Sequence, residues 1–412
     1  WRDESGEIKR TRIECMELSS FIFQLSALRA TLRRECNLMA SRRIYLASTV
    51  VLPLMLLFFM CTIFGDGQMR HLPIGIVDAD HTATSRSIIR NIEAVPTFTV
   101  SHHYTDDASA RRAVQRKEIY GYLSIPSDFE SRIMRGENAV LCYYYHYALL
   151  AVGGEVMSAF EQALIPVRMA PIMLEAEALG VAAGRMQTFL LPMTSDDHAL
   201  YNPSLDYAVY LTLPIYYIMF QILVLLTTLY ALGSEAKQGS AHAWLSSAGN
   251  NIMVAVGGKL LPYTLFFVLE ALLANYVFFC WLRIPLAGSM GLFALTSVLF
   301  VVATQAVAVF LYSLFPVLSL VISVVSMVGS LGATLSGLTF PLAAMYPVVQ
   351  HVALLFPVRH FTEAMQRIVY FGGGVGDCGP MLLVLCLFPL VSLLVLPRLK
   401  SVLMNRRYDT LE

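Results

Sequence analysis

The chain of 412 residues is apolar and sparsely charged: hydrophobic residues make up 57% of it, and Asp, Glu, Lys and Arg together make up 14%. Ordinary soluble domains carry about 25% charged residues, so this composition predicts a protein that hides apolar surface in a lipid bilayer. Acidic and basic residues both number 29, and without a net positive field we expect no nucleic-acid partner. The seven cysteines contain no CxxC pair and predict neither a zinc site nor a disulfide framework.

Six apolar runs are long enough to cross a membrane. About 20 apolar residues span a hydrocarbon core roughly 30 Å thick, and the run 44–64 meets this requirement without a charge. After the mixed segment 65–206, five further runs follow at 207–232, 260–282, 286–315, 317–338 and 380–397. The predicted fold is a polytopic α-helical membrane protein with one span, an inserted domain and then five spans.

Basic residues flank both ends of this set of spans. Because Lys and Arg hold short flanking segments in the cytoplasm, we expect both termini there. It follows that 65–206 and 339–379 lie outside, whereas the loop 233–251 and the tail 398–412 lie inside. The flanking basic residues are Arg29, Arg33, Arg34, Arg42, Arg43, Arg398, Lys400, Arg406 and Arg407.

The N-terminal segment 1–43 begins at Trp1 and is polar, so we expect a trimmed or incomplete N-terminus and see no cleavable signal peptide. Within it, 21–43 has apolar residues at near-helical spacing with arginines on the other side. This pattern predicts a helix that lies in the inner interface. The alternative is a plain cytoplasmic extension of the first span. The apolar positions are Phe21, Leu25, Leu28, Leu32 and Met39.

The segment 65–206 alternates strand-like and helix-like stretches. Strands are predicted at 72–77, 97–102, 119–125 and 139–145, and helices at 82–93, 106–117 and 126–135. This order predicts a small extracytoplasmic α/β domain. From 148 to 185 the chain is rich in Ala, Leu, Met and Glu, which predicts long helices interrupted near Pro166 and Pro171.

The segment 339–379 is apolar but is broken by prolines and studded with charges. We interpret it as an outer-leaflet helical hairpin, a pair of short helices before the last span. It either caps a route through the membrane helices or is a merely structural outer lid. The prolines and charged or titratable residues are Pro341, Pro347, Pro357, Arg359, His360, Glu363 and Arg367.

Three separated stretches carry recognisable motifs. The first is GIVDADHTATSRSII with the later GYLSIPSDFESRIMRGENAVLCYY, the second is GSEAKQGSAHAWLSSAGNNIMVAVGGKLLPY, and the third is LSGLTFPLAAMYPVVQHVALLFPVRHFTEAMQRIVYFGGG. In order and spacing they resemble the type-2 ABC transporter permeases, in the bacterial exporter branch with a large extracytoplasmic domain after the first span. The matching positions include Asp78, Ser85, Arg86, Gly121, Pro126, Phe129, Glu130, Glu235, Lys237, Gly239, Ser240, Gly258, Lys259, Ser336, Gly337, Phe340, Pro341, Met345, Pro347, Pro357, Phe361 and Arg367.

The resemblance implies the permease subunit of an ATP-driven ABC exporter in the bacterial cytoplasmic (inner) membrane. Its substrate would be amphipathic or hydrophobic: a drug, a lipid or a polymer precursor. The stretch VGGKLLPY lacks a P-loop glycine and a Ser or Thr after Lys259, so we expect no enzyme activity in this chain. No cofactor is expected in it; ATP and Mg²⁺ would be bound by a separate ABC ATP-binding subunit. The other implied partners are a second permease copy or a paralogue, and a periplasmic adaptor protein.

The loop 233–251 is the predicted contact with the ATP-binding subunit. The resemblance implies a short coupling helix there, with a second contact from the connecting helix near the N-terminus. The alternative, from periodicity alone, is an amphipathic loop that rests on lipid through Trp244 and Leu245. The predicted coupling surface comprises Glu235, Lys237, Gly239, Ser240, Trp244, Arg33 and Arg34.

Glu270 is a carboxylate near the middle of an apolar run, where an ionisable group is costly unless paired or hydrated. We expect it to face the bundle or an aqueous cavity, with a role in the substrate path or in contact between helices. Two other functions stay open: an ion-coupled secondary transporter that uses Glu270, although the spans show no internal repeat, and a membrane-anchored receptor or scaffold. The candidate translocation path comprises Glu270, Phe340, Pro341, Arg359, Glu363 and Arg367.

Two other groups of polar residues predict no site. His102, His103 and His146 lack carboxylates at ligand spacing, so we interpret them as surface histidines and not as metal ligands. Ser85 and His81 lack the surrounding signature of a hydrolase.

Overall fold

The computed structural model describes residues 4–63, 69–178, 201, 202, 206 and 208–405. The chain divides into two units: residues 1–65 with 206–412, and residues 66–205. We call the first the membrane unit and the second the inserted domain.

The membrane unit begins with two separate helices, α1 (Glu4–Ser41) and α2 (Arg43–Ile63). Arg42 between them has extended backbone, with φ −116° and ψ 111°. The helix predicted at 21–43 is therefore confirmed as part of α1, and the alternative of a plain extension of the first span is wrong. Its position at a membrane interface stays a prediction. One stripe of α1 is buried, formed by Ala27, Thr31, Glu35 and Met39.

The inserted domain contains a four-stranded mixed sheet in the order β2-β1-β3-β4. Strand β1 pairs in parallel with β2 and β3, and β4 pairs antiparallel with β3. The predicted alternation of strands and helices is confirmed. The strands are β1 (Leu72–Asp78), β2 (Phe98–Tyr104), β3 (Gly121–Ile125) and β4 (Cys142–Tyr145), and the helices are α3 (Ala83–Glu93), α4 (Asp107–Gln115), α5 (Phe129–Met134) and α6 (Leu150–Ala178).

Helix α6 corrects one expectation. It continues through Pro166 and Pro171, so the predicted interruption near these prolines is wrong. A proline removes one backbone hydrogen bond and crowds the preceding turn, but the bonds on either side can carry the helix past it. The rest of that predicted stretch, 179–185, lies outside the described residues.

The remaining predicted spans are also helical, and two of them start earlier than hydropathy indicated. Helix α9 (Ile252–Trp281) begins before Lys259 and so includes it. Helix α14 (Val375–Met404) begins before the predicted start of the last span at residue 380. Among the described residues, α2 and the five long helices given below make six helices that are long and apolar enough to cross a membrane. The helices of this part of the chain are α7 (Val209–Lys237), the short α8 (Ala241–Ser247), α9 (Ile252–Trp281), α10 (Met290–Leu314), α11 (Leu318–Leu335) and α14 (Val375–Met404).

Between α11 and α14 the chain forms two short helices, α12 (Pro347–Ala353) and α13 (Pro357–Val369). Each starts with a proline, whose fixed φ and missing N–H suit the first helical position. The predicted pair of short helices is confirmed, whereas its depth in a membrane stays a prediction. We call residues 336–374 the hairpin segment.

The hairpin segment is anchored in the core of the membrane unit by Phe361. Its ring lies 4.4 Å from that of Tyr217 and 4.3 Å from that of Phe300, between centroids. Beside it, the Tyr217 hydroxyl donates to Asn275 Oδ1 at 2.5 Å and lies 3.0 Å from Ser297 Oγ. This buried polar group joins α7, α9 and α10, and it fixes the core against which α13 packs.

Candidate functional site

Four charged side chains from three helices form a cluster inside the membrane unit. Arg34 and Glu35 come from α1, Glu235 from the last turn of α7, and Lys259 from the second turn of α9. The residues Glu35, Glu235 and Lys259 are 1%, 2% and 0% exposed. We call these four residues the charge cluster. It has two positive and two negative charges, so it is neutral as a unit.

Lys259 is the centre of the charge cluster. Its Nζ donates to Glu35 Oε2 at 2.7 Å and to Glu235 Oε1 at 2.8 Å. The Arg34 guanidinium donates both Nη atoms to the two Glu235 oxygens, at 2.7 and 2.8 Å. Such bidentate, charge-assisted bonds fix the relative orientation of the groups as well as their distance. Helices α1, α7 and α9 are thereby tied at one point.

Two hydroxyl groups complete the charge cluster. Tyr263, one turn along α9 from Lys259, donates to Glu35 Oε1 at 2.8 Å. Ser240, just before α8, donates to Glu235 Oε2 at 2.6 Å. Both carboxylates therefore have partners on each oxygen, which offsets the cost of removing them from water.

The electrostatics of Arg34 follow from this arrangement. Arg34 is half-buried at the edge of the cluster, and its hydrogen bond to Glu235 raises the pKa of the guanidinium above its usual value. The cation is stabilised, so the bidentate contact persists across the whole physiological pH range.

A glycine lets α1 approach α9 closely enough for these contacts. A Cβ added at Gly258 would lie 2.9 Å from Thr31 Cβ and 3.3 Å from Leu28 Cδ1, whereas one added at Gly257 would meet nothing within 4 Å. The side of α9 that carries Gly258 and Lys259 therefore lies directly against the buried stripe of α1.

The short helix α8 is attached to the charge cluster through Trp244. The Trp244 side chain is fully buried, its Nε1 donates to the Ala255 carbonyl at 3.3 Å, and Lys259 Nζ lies 5.4 Å from its ring centroid. A cation at this distance from an indole face is attracted to it. Leu245 is also fully buried. The alternative of a loop resting on lipid through Trp244 and Leu245 is therefore wrong.

The residues of the predicted coupling surface divide into two groups. Arg33, Lys237 and Gly239 are exposed, whereas Glu235 and Trp244 are buried. Ser240 and Arg34 are half-buried and bind Glu235. Contact with an ATP-binding subunit stays a prediction, and only the exposed residues are available to make it in this conformation.

Sequence reasoning missed Glu35 and the role of Lys259. The signal was present: Lys259 stands in an apolar stretch where an unpaired ammonium is costly, so it required an acidic partner. That partner comes from a helix 224 residues earlier in the chain. Single-sequence periodicity does not reveal which acidic residue meets it.

The charged residues of the predicted translocation path form a second, separate ladder in the hairpin segment. Glu363 accepts from Arg359 Nη2 at 2.5 Å and from Arg367 Nη2 at 2.7 Å. Arg359 also donates to the Ser336 carbonyl, and Arg367 to that of Asp377. The ladder thus joins α13 to the end of α11 and the start of α14.

The other predicted path residues differ in exposure. Phe340 is 51% exposed, and Pro341 is exposed beside it. Glu270 is 7% exposed, on the buried face of α9, and neither of its carboxylate oxygens has a hydrogen-bond partner among the described residues. The structure does not bring Glu270 together with the ladder, and a role of these residues in translocation stays a prediction.

The weaker polar candidates have structural surroundings. Ser85 Oγ donates to Asp78 Oδ2 at 2.8 Å and accepts from the Thr82 N–H, as part of the cap of α3. The described residues contain no group of three or more His, Cys, Asp or Glu side chains that could hold a metal ion.

Comparison with known proteins agrees with this architecture. The sequence model of the family described as ABC-2 family transporter protein matches residues 43–396. Two curated relatives are named as the probable multidrug ABC transporter permease YbhR, from Escherichia coli K12 and from Escherichia coli O157:H7. Each is 25% identical over 168 residues, which is 41% of this chain and 45% of the relative. The match thus spans less than half the length of these relatives. The family match covers most of the chain, which therefore belongs to the ABC-2 transporter family.

Proposed function

We propose that this chain is the membrane permease subunit of an ATP-driven exporter, and that the charge cluster couples its spans to a separate ATP-binding subunit. The observation that carries the proposal is the joining of α1, α7 and α9 by Arg34, Glu35, Glu235 and Lys259, with α8 attached beside them. Membership of the ABC-2 transporter family favours transport over a receptor or scaffold role.

Coupling requires a rigid connection between an exposed contact and the spans. Arg33 of α1 and Lys237 at the end of α7 are exposed, and each lies within two residues of a member of the charge cluster. A partner that displaces α1 or α8 would therefore act on Glu235 and Lys259 through charge-assisted bonds of 2.6–2.8 Å. Because a buried ionic network has discrete bonded arrangements, it transmits such a displacement to α7 and α9.

The remaining parts of the proposal rest on the sequence. The distribution of Lys and Arg supports cytoplasmic termini, and the absence of a P-loop supports an ATP-binding partner that holds ATP and Mg²⁺. The name of the relatives and the apolar spans support an amphipathic or hydrophobic substrate moved outward across a bacterial inner membrane. Pairing with a second permease copy or paralogue, and contact with a periplasmic adaptor, stay predictions from the resemblance.

The test uses the chain purified in mild detergent after co-expression with a candidate ABC ATP-binding subunit from the same organism. We expect a stable complex that hydrolyses ATP and drives substrate movement in proteoliposomes. The double variant Glu35→Gln/Lys259→Met keeps the neutral Arg34–Glu235 pair but removes the ionic link between α1 and α9. We expect this variant to assemble and to hydrolyse ATP, with transport per ATP reduced at least tenfold.

The matched control is Lys400→Met, which removes a lysine of α14 whose Nζ donates to the Asn250 carbonyl and to no other described residue. We expect transport per ATP to stay within twofold of the unmodified protein. A purification in which no ATP-binding chain associates contradicts the proposed function. Unchanged coupling in the double variant contradicts the role of the charge cluster alone.

A further inference from the structure

Glu270 is an ionisable side chain deep in a candidate span. It lies close to the midpoint of Ile252–Trp281, about 5 Å beyond it by the helical rise. In a helix that crosses a bilayer, this position is far from both interfaces. A carboxylate at such a depth is expensive unless a charge or a hydrogen-bond donor compensates it.

The chain provides no such compensation in its described part. Both Glu270 oxygens are buried and without a hydrogen-bond partner. The other buried charged residues, Glu35, Glu235 and Lys259, all belong to the charge cluster and are paired. This protein therefore pairs the charges that it buries, and Glu270 is the exception among the described residues.

The surroundings of Glu270 are aromatic. Phe267 precedes it by three residues and so lies on the same side of α9. From Phe267 the rings continue through Phe220 at 5.9 Å to Tyr216 at 5.6 Å and Phe278 at a further 5.2 Å. The carboxylate thus shares a side of α9 with Phe267, the first ring of an aromatic row that continues into α7.

This chemistry selects one class of ligand. A metal ion requires several oxygen ligands, and the described residues contain no group of three or more His, Cys, Asp or Glu side chains that could hold one. An anion is repelled by the carboxylate. An organic cation satisfies both features, because the carboxylate neutralises its charge and aromatic faces attract cations that lack N–H donors.

We propose that Glu270 binds the positive charge of a lipophilic organic cation, which makes such cations a substrate class of this permease. This inference rests on the proposed function. Helix α2 offers a route to α9, because the two helices are in contact and only 22% of the apolar stretch of α2 is buried inside the protein, the lowest share among the six described spans. A cation that partitions into the bilayer reaches Glu270 laterally, between α2 and α9.

The test is equilibrium binding of tetraphenylphosphonium to the full-length chain in lipid nanodiscs, with and without its ATP-binding subunit. Tetraphenylborate, an anion of the same shape, measures partition into the lipid. We expect saturable binding of the phosphonium alone. The variant Glu270→Gln lowers its affinity at least tenfold, whereas Glu270→Asp, which keeps the charge, retains saturable binding. Glu161→Gln removes an exposed carboxylate of the inserted domain and should leave affinity within twofold.

Each outcome bears on the inference separately from the proposed function. The cation site at Glu270 is contradicted if Glu270→Gln and the unmodified chain bind the phosphonium with equal affinity. It is also contradicted if the phosphonium and the borate are taken up equally. Size-exclusion chromatography in nanodiscs shows whether Glu270→Gln is folded. A folded variant with reduced phosphonium binding supports the cation site. Failure of an ATP-binding chain to associate overturns the proposed function, whereas phosphonium binding by the permease alone still supports a cation site at Glu270.

Discussion

Helix α9 carries two buried charged residues, and the protein treats them in opposite ways. Lys259 binds two carboxylates and faces an indole ring, whereas Glu270, about 16 Å along the same helix, has no partner among the described residues. Both are almost completely buried. The difference therefore lies in their partners and not in their depth.

This contrast separates two uses of a buried charge. A paired charge specifies how helices are joined, because removal of one partner leaves another uncompensated. An unpaired carboxyl makes no bond that joins helices, and for Glu270 we propose a ligand as its partner. The variants below test this distinction, beginning with the largest expected effect.

The variant Lys259→Met should cause the largest loss of stability. It leaves Glu35 and Glu235 buried with only Arg34 to balance them, and breaking a buried ion pair on one side costs about 3–5 kcal/mol. We expect a lower thermal-unfolding midpoint in detergent and a lower yield of monodisperse protein. Lys400→Met is the control. The Lys400 ammonium donates to the Asn250 carbonyl in the loop before α9, and its loss should change the unfolding midpoint little. Equal loss in the two variants would show that the charge cluster is not a structural joint.

The variant Gly258→Ala tests the same joint without removing a charge. The added Cβ meets Thr31 at 2.9 Å, so α1 must move away from α9, at a cost of about 1–3 kcal/mol for overpacking. Gly257→Ala is the matched control, since its Cβ meets nothing within 4 Å and alanine favours helix. Hydrogen exchange measured by mass spectrometry should show faster exchange in α1 for the first variant only. Similar exchange in both would mean that α1 does not depend on this close approach.

Much of the fold could be predicted from the sequence, because apolar runs and strand-helix alternation are local signals. The six spans, the four strands of the inserted domain and the pair of helices before α14 all come from such signals. The charge cluster could not be predicted as a unit, because it depends on which helices meet. Glu235, Arg34 and Ser240 were identified from motifs, but Glu35 and Lys259 acquire their role only when α1 packs on α9.

The starting points of helices were harder to predict for the same reason. Hydropathy placed the start of α9 after Lys259, because an isolated lysine is unfavourable in a span. Its two carboxylate partners remove that penalty, so the helix begins at Ile252. Glu270 was predicted to face the bundle, and it does, but its lack of a partner could be seen only once its neighbours were placed.

The variant Tyr217→Phe tests whether a neutral buried polar group stabilises the packing of the helices as the charge cluster does. The hydroxyl binds Asn275 and Ser297, and its removal leaves the Asn275 carbonyl oxygen without this donor, at a cost of about 1–3 kcal/mol. Tyr276→Phe is the control, because the Tyr276 side chain, next to Asn275 in α9, is mostly exposed. The thermal-unfolding midpoint should fall for Tyr217→Phe and stay nearly constant for Tyr276→Phe. An equal change of the unfolding midpoint in the two variants would show that the Tyr217 hydroxyl does not stabilise the fold through Asn275 and Ser297.

The variant Glu270→Met should have the smallest effect on stability, and its sign is informative. Methionine matches the length of glutamate and has no polar atom to leave unsatisfied, so the change removes a desolvated carboxylate and breaks no bond within the described chain. We expect an unfolding midpoint equal to or slightly above that of the unmodified protein, with no added ligand. Lys259→Met, which introduces the same side chain into the same helix, serves as the comparison. Its unfolding midpoint should lie well below those of Glu270→Met and the unmodified protein. If Glu270→Met instead lost about as much stability as Lys259→Met, Glu270 would be a structural joint like Lys259, and its charge would already be compensated within the fold.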